Sequence, residues 1–137
     1  MSSSAELQKL LFDTLKADVA VMAIAGGVYD RVPASPYGTK TAYISFGPSD
    51  VVDDSADCIL SGEHTFQLDV WSKAVGQVEA KRLVDLIYRG LHERELVLTE
   101  NALAEIRVVF RRVFLDPDGL TSHGVVTVAA SIEEPDL

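Results

Sequence analysis

The chain has 137 residues, 47% of them hydrophobic and 24% charged, with a formal net charge of −9. These proportions are ordinary for a globular protein, and the length fits one domain, residues 1–137, burying about two thirds of its unfolded surface. The surplus of carboxylates argues against a dedicated nucleic-acid-binding surface, which needs Lys and Arg against phosphate, and against an anionic membrane, while serving solubility.

Cys58 is the single cysteine, which excludes an intrachain disulfide and any metal site built from cysteines. It reads as a small apolar group, buried or half-buried. The start MSSSAELQKLL lacks the basic stretch and unbroken apolar run of a secretory signal. No apolar run approaches the ~20 residues that span a bilayer. The expectation is a protein made and kept in a cytoplasm.

Ser3 and Glu6 form an S-x-x-E capping box ahead of Leu7, Leu10, Leu11 and Leu15, whose spacing predicts an amphipathic helix over 4–17. Asp18 to Ala25 reads as a second short helix, with a strand as the alternative, and Gly26-Gly27 as its stop. Val28 to Val32 is a brief extended piece ended by Pro33, and PASPYGTK marks an irregular loop. Ala42 to Phe46 alternates and predicts a strand, with Ile44 and Phe46 toward the core.

Residues 48–62, PSDVVDDSADCILSG, hold no sustained period and read as a long solvated connection. Asp50, Asp53, Asp54 and Asp57 do not match the register of a calcium loop, so no metal is expected. Val51, Val52, Ile59 and Leu60 are more apolar than a solvated loop requires, which suggests a covering partner.

The clearest strand is Thr65 to Trp71, with Phe66, Leu68 and Val70 on one face and Gln67, Asp69 and Trp71 on the other. The clearest helix follows at 77–92, where Leu83, Val84, Ile87 and Leu91 form one stripe. Leu96 to Leu98 reads as a short strand. Ala104 to Leu115 is β-branched and aromatic and predicts a strand. Its alternation sets Ile106, Val108, Phe110 and Phe114 against Arg107, Val109, Arg111 and Val113. Arg112 breaks that pattern, either re-aimed by a bulge or drawn inside by a carboxylate. Asp116-Pro117-Asp118-Gly119 is turn chemistry, and His123 to Ile132 returns with Val126, Val128, Ala130 and Ile132 inward. Glu133 to Leu137 is expected to be a frayed acidic tail. The fold class is α+β: a mainly antiparallel sheet of four to five strands, with helices 4–17 and 77–92 on one face.

No catalytic signature appears. His64, His92 and His123 read as surface imidazoles, with a His64–His123 pair between neighbouring strands as the alternative. No cofactor motif is present. Trp71 on the wet strand face calls for a cover, from a loop of this chain or a neighbouring subunit. Val109, Val113, Val125 and Ala129 also lie opposite the core sets of their strands, and a sheet apolar on both faces suggests association.

The order of parts resembles a known family. The segments are ELQKLLFDTLKAD, VYDRVP, AYISFG, GEHTFQLDVWSKAVGQVEAKRLVDLIYRGLH and RVVFRRVFLDPDGLTSHGVVTVAASIEE. Over residues 5 to 133 they are similar to the small tail-completion, or tail terminator, proteins of long-tailed bacteriophages, prophages and gene transfer agents. The resemblance implies a non-enzymatic structural protein without cofactors, assembled in the host bacterial cytoplasm into the head–tail junction of a particle. It implies a homohexameric ring on the head-proximal end of the tail tube, touching the tube protein and the head connector. DNA would pass through its lumen, where an acidic wall would not hold it.

A closing ring of identical copies needs head-to-tail contacts. On that reading Gln67, Asp69, Trp71, Val109, Arg111 and Val113 supply the subunit contact. Val51, Val52, Asp53, Asp54, Ile59, Leu60, Asp118 and Leu120 then reach the axial neighbours. Two other readings stand beside it: an acidic binding or inhibitor protein for a basic partner, and an enzyme using His64 and His123.

Overall fold

Among the described residues three helices and five strands follow one another as α1 (Ser3–Ala17), α2 (Val19–Ile24), β1 (Ala25–Tyr29), β2 (Ala42–Asp53), β3 (Leu60–Ser72), α3 (Val78–Leu91), β4 (Ala102–Leu115) and β5 (Ser122–Glu134). The structure is a computed structural model and describes residues 1–135. The strands form one sheet in the order β1-β2-β3-β5-β4, parallel between β1 and β2 and antiparallel elsewhere. The α+β class expected from sequence is the class observed.

Helices cover one face because their apolar stripes meet the inward residues of the strands. Leu7, Leu11 and Leu15 of α1 and Ala80, Leu83, Val84, Ile87 and Leu91 of α3 are buried. They share a core with Ile44, Phe66, Leu68, Val70, Val126, Val128 and Ile132. Leu10 is only half-buried.

The start of α1 departs from the expected capping box. Ser2 is the N-cap, accepting from Ala5 N at 3.1 Å. Ser3 is buried and donates to Glu134 at 2.6 Å. Glu6 turns away from the helix end and accepts from Thr99, Glu100 and Asn101 across 2.8–3.1 Å, drawing in the loop between α3 and β4. Several donors converging on one carboxylate outcompete the single backbone N–H that a box would offer. The anchored loop is irregular, so the short strand expected at 96–98 is absent, although Leu98 is buried.

Asp18 caps α2 by accepting from Ala20 N and Val21 N. Gly26 and Gly27 do not stop it by a left-handed turn; both belong to β1, and neither has a positive φ. Glycine is required at 26 because a Cβ there would collide with the carbonyl of Tyr37, where the proline-rich loop folds back over β1.

The expected loop at 48–62 is instead most of a hairpin. Strand β2 runs on to Asp53, and Ser49 to Asp53 pair with Phe66 to Gly62. A bulge between Phe46 and Ser49 absorbs Pro48, which cannot donate to a ladder. The proline and the aspartates hid the strand from propensity. Six residues, 54–59, remain for the tip. There Ser55 Oγ donates to Asp53 and accepts from Ser61 N, while Ala56 bridges Ile59. Cys58 sits exposed at the tip with φ +65°, not buried as expected.

The face assignment of β4 holds as far as Val108 and then inverts. A bulge between Val108 and Phe110 spends one residue, so Phe110 pairs with Thr127, Arg111 with Val126 and Phe114 with His123. Phe110 is therefore 53% exposed on the outer face, and Phe114 joins it there, instead of entering the core. Of the expected tail, Glu133 and Glu134 belong to β5; Asp136 and Leu137 lie outside the described residues.

Candidate assembly surfaces

The face of the sheet away from the helices carries a row of rings crossing every strand at one end. Tyr37 of the proline loop meets Tyr43 edge-on, with centroids 4.9 Å apart, and Tyr29 of β1 lies 6.0 Å from Tyr43. Tyr43 of β2 faces Trp71 of β3 at 6.3 Å, and Trp71 stacks on His123 of β5 at 3.8 Å. Phe114 of β4 completes the row, 4.8 Å from His123. Cations close both ends, with Lys73 4.5 Å over Tyr37 and Arg112 4.8 Å over Phe114.

Polar groups fix the rings in place. Trp71 Nε1 donates to Ser45 Oγ at 3.0 Å, and Tyr29 donates to the Pro36 carbonyl at 2.9 Å. Asp69 receives His123 Nε2 at 2.7 Å and Gln67 Nε2 at 3.0 Å. Burial raises the phenol pKa of Tyr37, helped by Asp118, and that of Tyr43, helped by Tyr37 and Asp69. Both stay neutral, so the row is an apolar platform with one ordered carboxylate.

The structure brings Gln67, Asp69 and Trp71 together as expected. It separates the three β4 residues grouped with them. Val109, the extra residue of the bulge, is 48% exposed. Arg111 and Val113 fall on the helix side, where the Arg111 guanidinium lies 3.9 Å over the Tyr88 ring. Arg112 is re-aimed outward by the bulge, the first of the two alternatives. Tyr29, Tyr37, Tyr43 and Phe114 were missed. Tyr43 had a signal, since it alternates with the inward Ile44; for Phe114 the signal was the break at Arg112, because a bulge that re-aims Arg112 also re-aims Phe114.

Val51, Val52 and Ile59 are 49%, 63% and 47% exposed on the β2–β3 hairpin, beside Asp53, Asp54 and Leu60. Asp118 accepts from Leu120 and Thr121 in the β4–β5 turn, with Leu120 79% exposed. The two regions project from opposite ends of the sheet, because Leu60 pairs with Glu134 whereas Ser72 pairs with Ser122.

The proposed histidine pair does not form. His64 pairs with Ala130 and faces the helices, 1% exposed and 3.4 Å from Ser4 Oγ, while His123 lies on the outer face. His64 is thus not a surface imidazole. Burial pushes its pKa down against the pull of Glu134, Glu63 and Asp54, which keeps it neutral. Among the described residues no three His, Cys, Asp or Glu side chains are grouped to hold a metal. Among the described residues no helix is long and apolar enough to cross a membrane.

The family described as Tail completion protein gp17 matches residues 9–133. The chain belongs to this family. This tail completion protein is also similar to a chain in a solved structure, described as the virion of native gene transfer agent (GTA) particle. The two share 26% identity and superpose with a TM-score of 0.87 over 96% of this chain and 98% of the other. No curated protein matches the sequence. Family membership makes the protein a structural component of a virion tail, in contact with other virion proteins.

Proposed function

We propose that this tail completion protein is a tail terminator. Copies of a single domain, residues 1–137, close into a hexameric ring on the head-proximal end of the tail tube. The ring stops tube growth, receives the head connector and leaves a lumen for DNA. The observation that carries the reading is the agreement of fold over 98% of a chain of an assembled gene transfer agent virion, since nearly nothing of either chain lies outside the match.

Within the ring, the aromatic row with Gln67, Asp69 and Trp71 is a contact between neighbouring copies, extended by Val109 on β4. Half-buried rings already ordered by stacking lose little side-chain entropy when a neighbour covers them. Arg111 and Val113 support that contact from behind, through α3. Asp118 and Leu120, at the end of the sheet carrying the row, face one axial neighbour, tube or connector.

Deleting the gene from a particle-producing strain tests this. Electron microscopy is expected to show tails of uncontrolled length, free heads and few joined particles, with recovery on complementation. Joined particles with tails of normal length would overturn the reading.

A further inference from the structure

We propose that the tip of the β2–β3 hairpin of one copy docks on the β4 edge of the next copy, so that the ring is joined head to tail through oppositely charged apolar patches. The proposal rests on the ring reading for its closure, but the contact stands on separate observations.

The first is the segregation of charge. Residues 41–72, which contain the whole hairpin, carry six carboxylates and no Lys or Arg. Four of those carboxylates, Asp50, Asp53, Asp54 and Asp57, flank exposed Val51, Val52 and Ile59. Among the described residues none of the four forms an ion pair. Strand β4 offers the reverse: Arg111 and Arg112 beside Val109 and Phe110, which are 48% and 53% exposed. Neither arginine ion-pairs with a carboxylate among the described residues; each lies over an aromatic ring instead. On a chain of net charge −9 an acidic patch is repelled by most of a second copy's surface, and a basic, apolar strand is where it can settle.

The second is placement. The tip extends past the end of the sheet marked by Leu60 and Glu134, whereas Arg111 and Arg112 pair with Val126 and Val125, toward the other end and on the outermost strand. One copy therefore cannot bring its own tip to its own Arg111 and Arg112. Two different patches that fit each other make a heterologous contact, which closes into a ring or runs on as a filament.

The third is form. The tip is held by Ser55, bonded to Asp53 and Ser61, and by the Ala56–Ile59 bridge, so docking orders little chain. The β4 edge is bulged at two places and carries arginines, features that discourage strand addition, so its side chains make the contact.

Charge reversal tests the pairing. The tip variant D53R/D54R and the edge variant R111E/R112E are each examined by native mass spectrometry and electron microscopy, alone and with purified tail tubes. Far-UV circular dichroism and a cooperative melt verify folding. Each variant alone is expected to lose ring formation by at least about tenfold, because like charges now meet. Their equimolar mixture is expected to restore even-numbered rings, since every contact between alternating copies is again complementary. The chain carrying all four substitutions is expected to do the same. Rings from either folded variant alone, or no rescue on mixing, would overturn the contact while leaving the ring intact in the wild type. A tip variant that forms rings but no longer caps tubes would also overturn it, assigning the tip to an axial partner. Filaments or dimers in the wild type that depend on both charge sets would keep the contact and refute the closed ring. A wild-type chain that stays monomeric on tubes would refute both.

Discussion

Trp71 is the chain's single tryptophan, and replacing it separates what the aromatic row does within one copy from what it does between copies. Within one copy the indole stacks on His123 at 3.8 Å, faces Tyr43 at 6.3 Å and donates to Ser45 at 3.0 Å. Each aromatic contact contributes about 0.5–1.5 kcal/mol beyond the area it buries, and the hydrogen bond about 0.5–1.5 kcal/mol net. Trp71→Ala therefore costs the isolated copy about 2–4 kcal/mol on top of the apolar area it no longer buries. Trp71→Phe keeps a ring in the row but leaves the Ser45 hydroxyl, in a residue 6% exposed, without that donor, and costs about 1–2 kcal/mol. Urea unfolding followed by far-UV circular dichroism reads both values, with an unchanged m value as the check that the unfolded state is the same. Between copies the wild-type indole is its own reporter. Collisional quenching of its fluorescence by acrylamide is expected to fall when rings assemble, because a neighbour covers the row. Trp71→Phe is expected to assemble, and Trp71→Ala to need more protein, at temperatures where both are folded. Equal costs for the two substitutions would refute the stacking arithmetic. Unchanged quenching on assembly would refute the placement of the subunit contact.

Three further expectations concern the frame that holds these surfaces. A Cβ at Gly124 would sit 2.7 Å from Val84 Cγ2 and 3.1 Å from Val70 Cβ. Gly124→Ala should thus cost about 1–3 kcal/mol and lower Tm by about 3–10 °C, with partial recovery in Gly124→Ala/Val84→Ala; an unchanged Tm would contradict the close helix–sheet approach. Leu68→Ala, at a position with no exposure, should lose about 2–5 kcal/mol in urea unfolding, and a loss under about 1 kcal/mol would displace it from the core. For Glu6, burial raises the pKa, but hydrogen bonds from Glu100, Thr99 and Asn101 outweigh it and hold the folded carboxyl at about 2, against 4.5 ordinarily. A depressed folded pKa stabilises above the ordinary value, so this contribution is complete at neutral pH and is lost as pH falls from about 4.5 to about 2. The stability difference between wild type and Glu6→Gln should shrink over that window, and a difference constant with pH would refute the anchor.

The elements legible in the sequence were those whose pattern one principle governs. Phe66, Leu68 and Val70 alternate because β3 is central and wet on one side, and Leu83, Val84, Ile87 and Leu91 recur because α3 lies along the sheet. The misreadings arose where two demands met at one residue. Glu6 was in register for a capping box, yet a distant loop offered it more donors than the helix end could. Pro48 reads as a stop, but a bulge lets the ladder skip it, and the hairpin beyond was lost to the reading. Beyond the extra residue Val109 the β4 assignments inverted together, which is the signature of one inserted residue and not of scattered errors. That inversion moved Phe114 from the expected core to the aromatic row, and Arg111 from the expected interface to the ring of Tyr88.

The same bulge bears on how an acidic protein could pair with itself in the proposed ring. Without it, strict alternation would set Arg111 on the outer face and Arg112 on the helix side, against the buried surface of α3. With it, Phe110 and Arg112 share the outer face with Val109, and Arg111 leaves that face to lie across Tyr88, so cations flank an exposed apolar step from both sides of the strand. The hairpin carries six of the chain's 21 carboxylates and none of its twelve Lys and Arg residues. A net charge of −9 spread evenly would make copies repel at every approach; divided in this way, it repels most orientations and attracts one. On the proposed contact the β4 cations are taken up between copies, which leaves surplus carboxylates for the remaining surface, including the wall of the proposed lumen, to which DNA would not adhere.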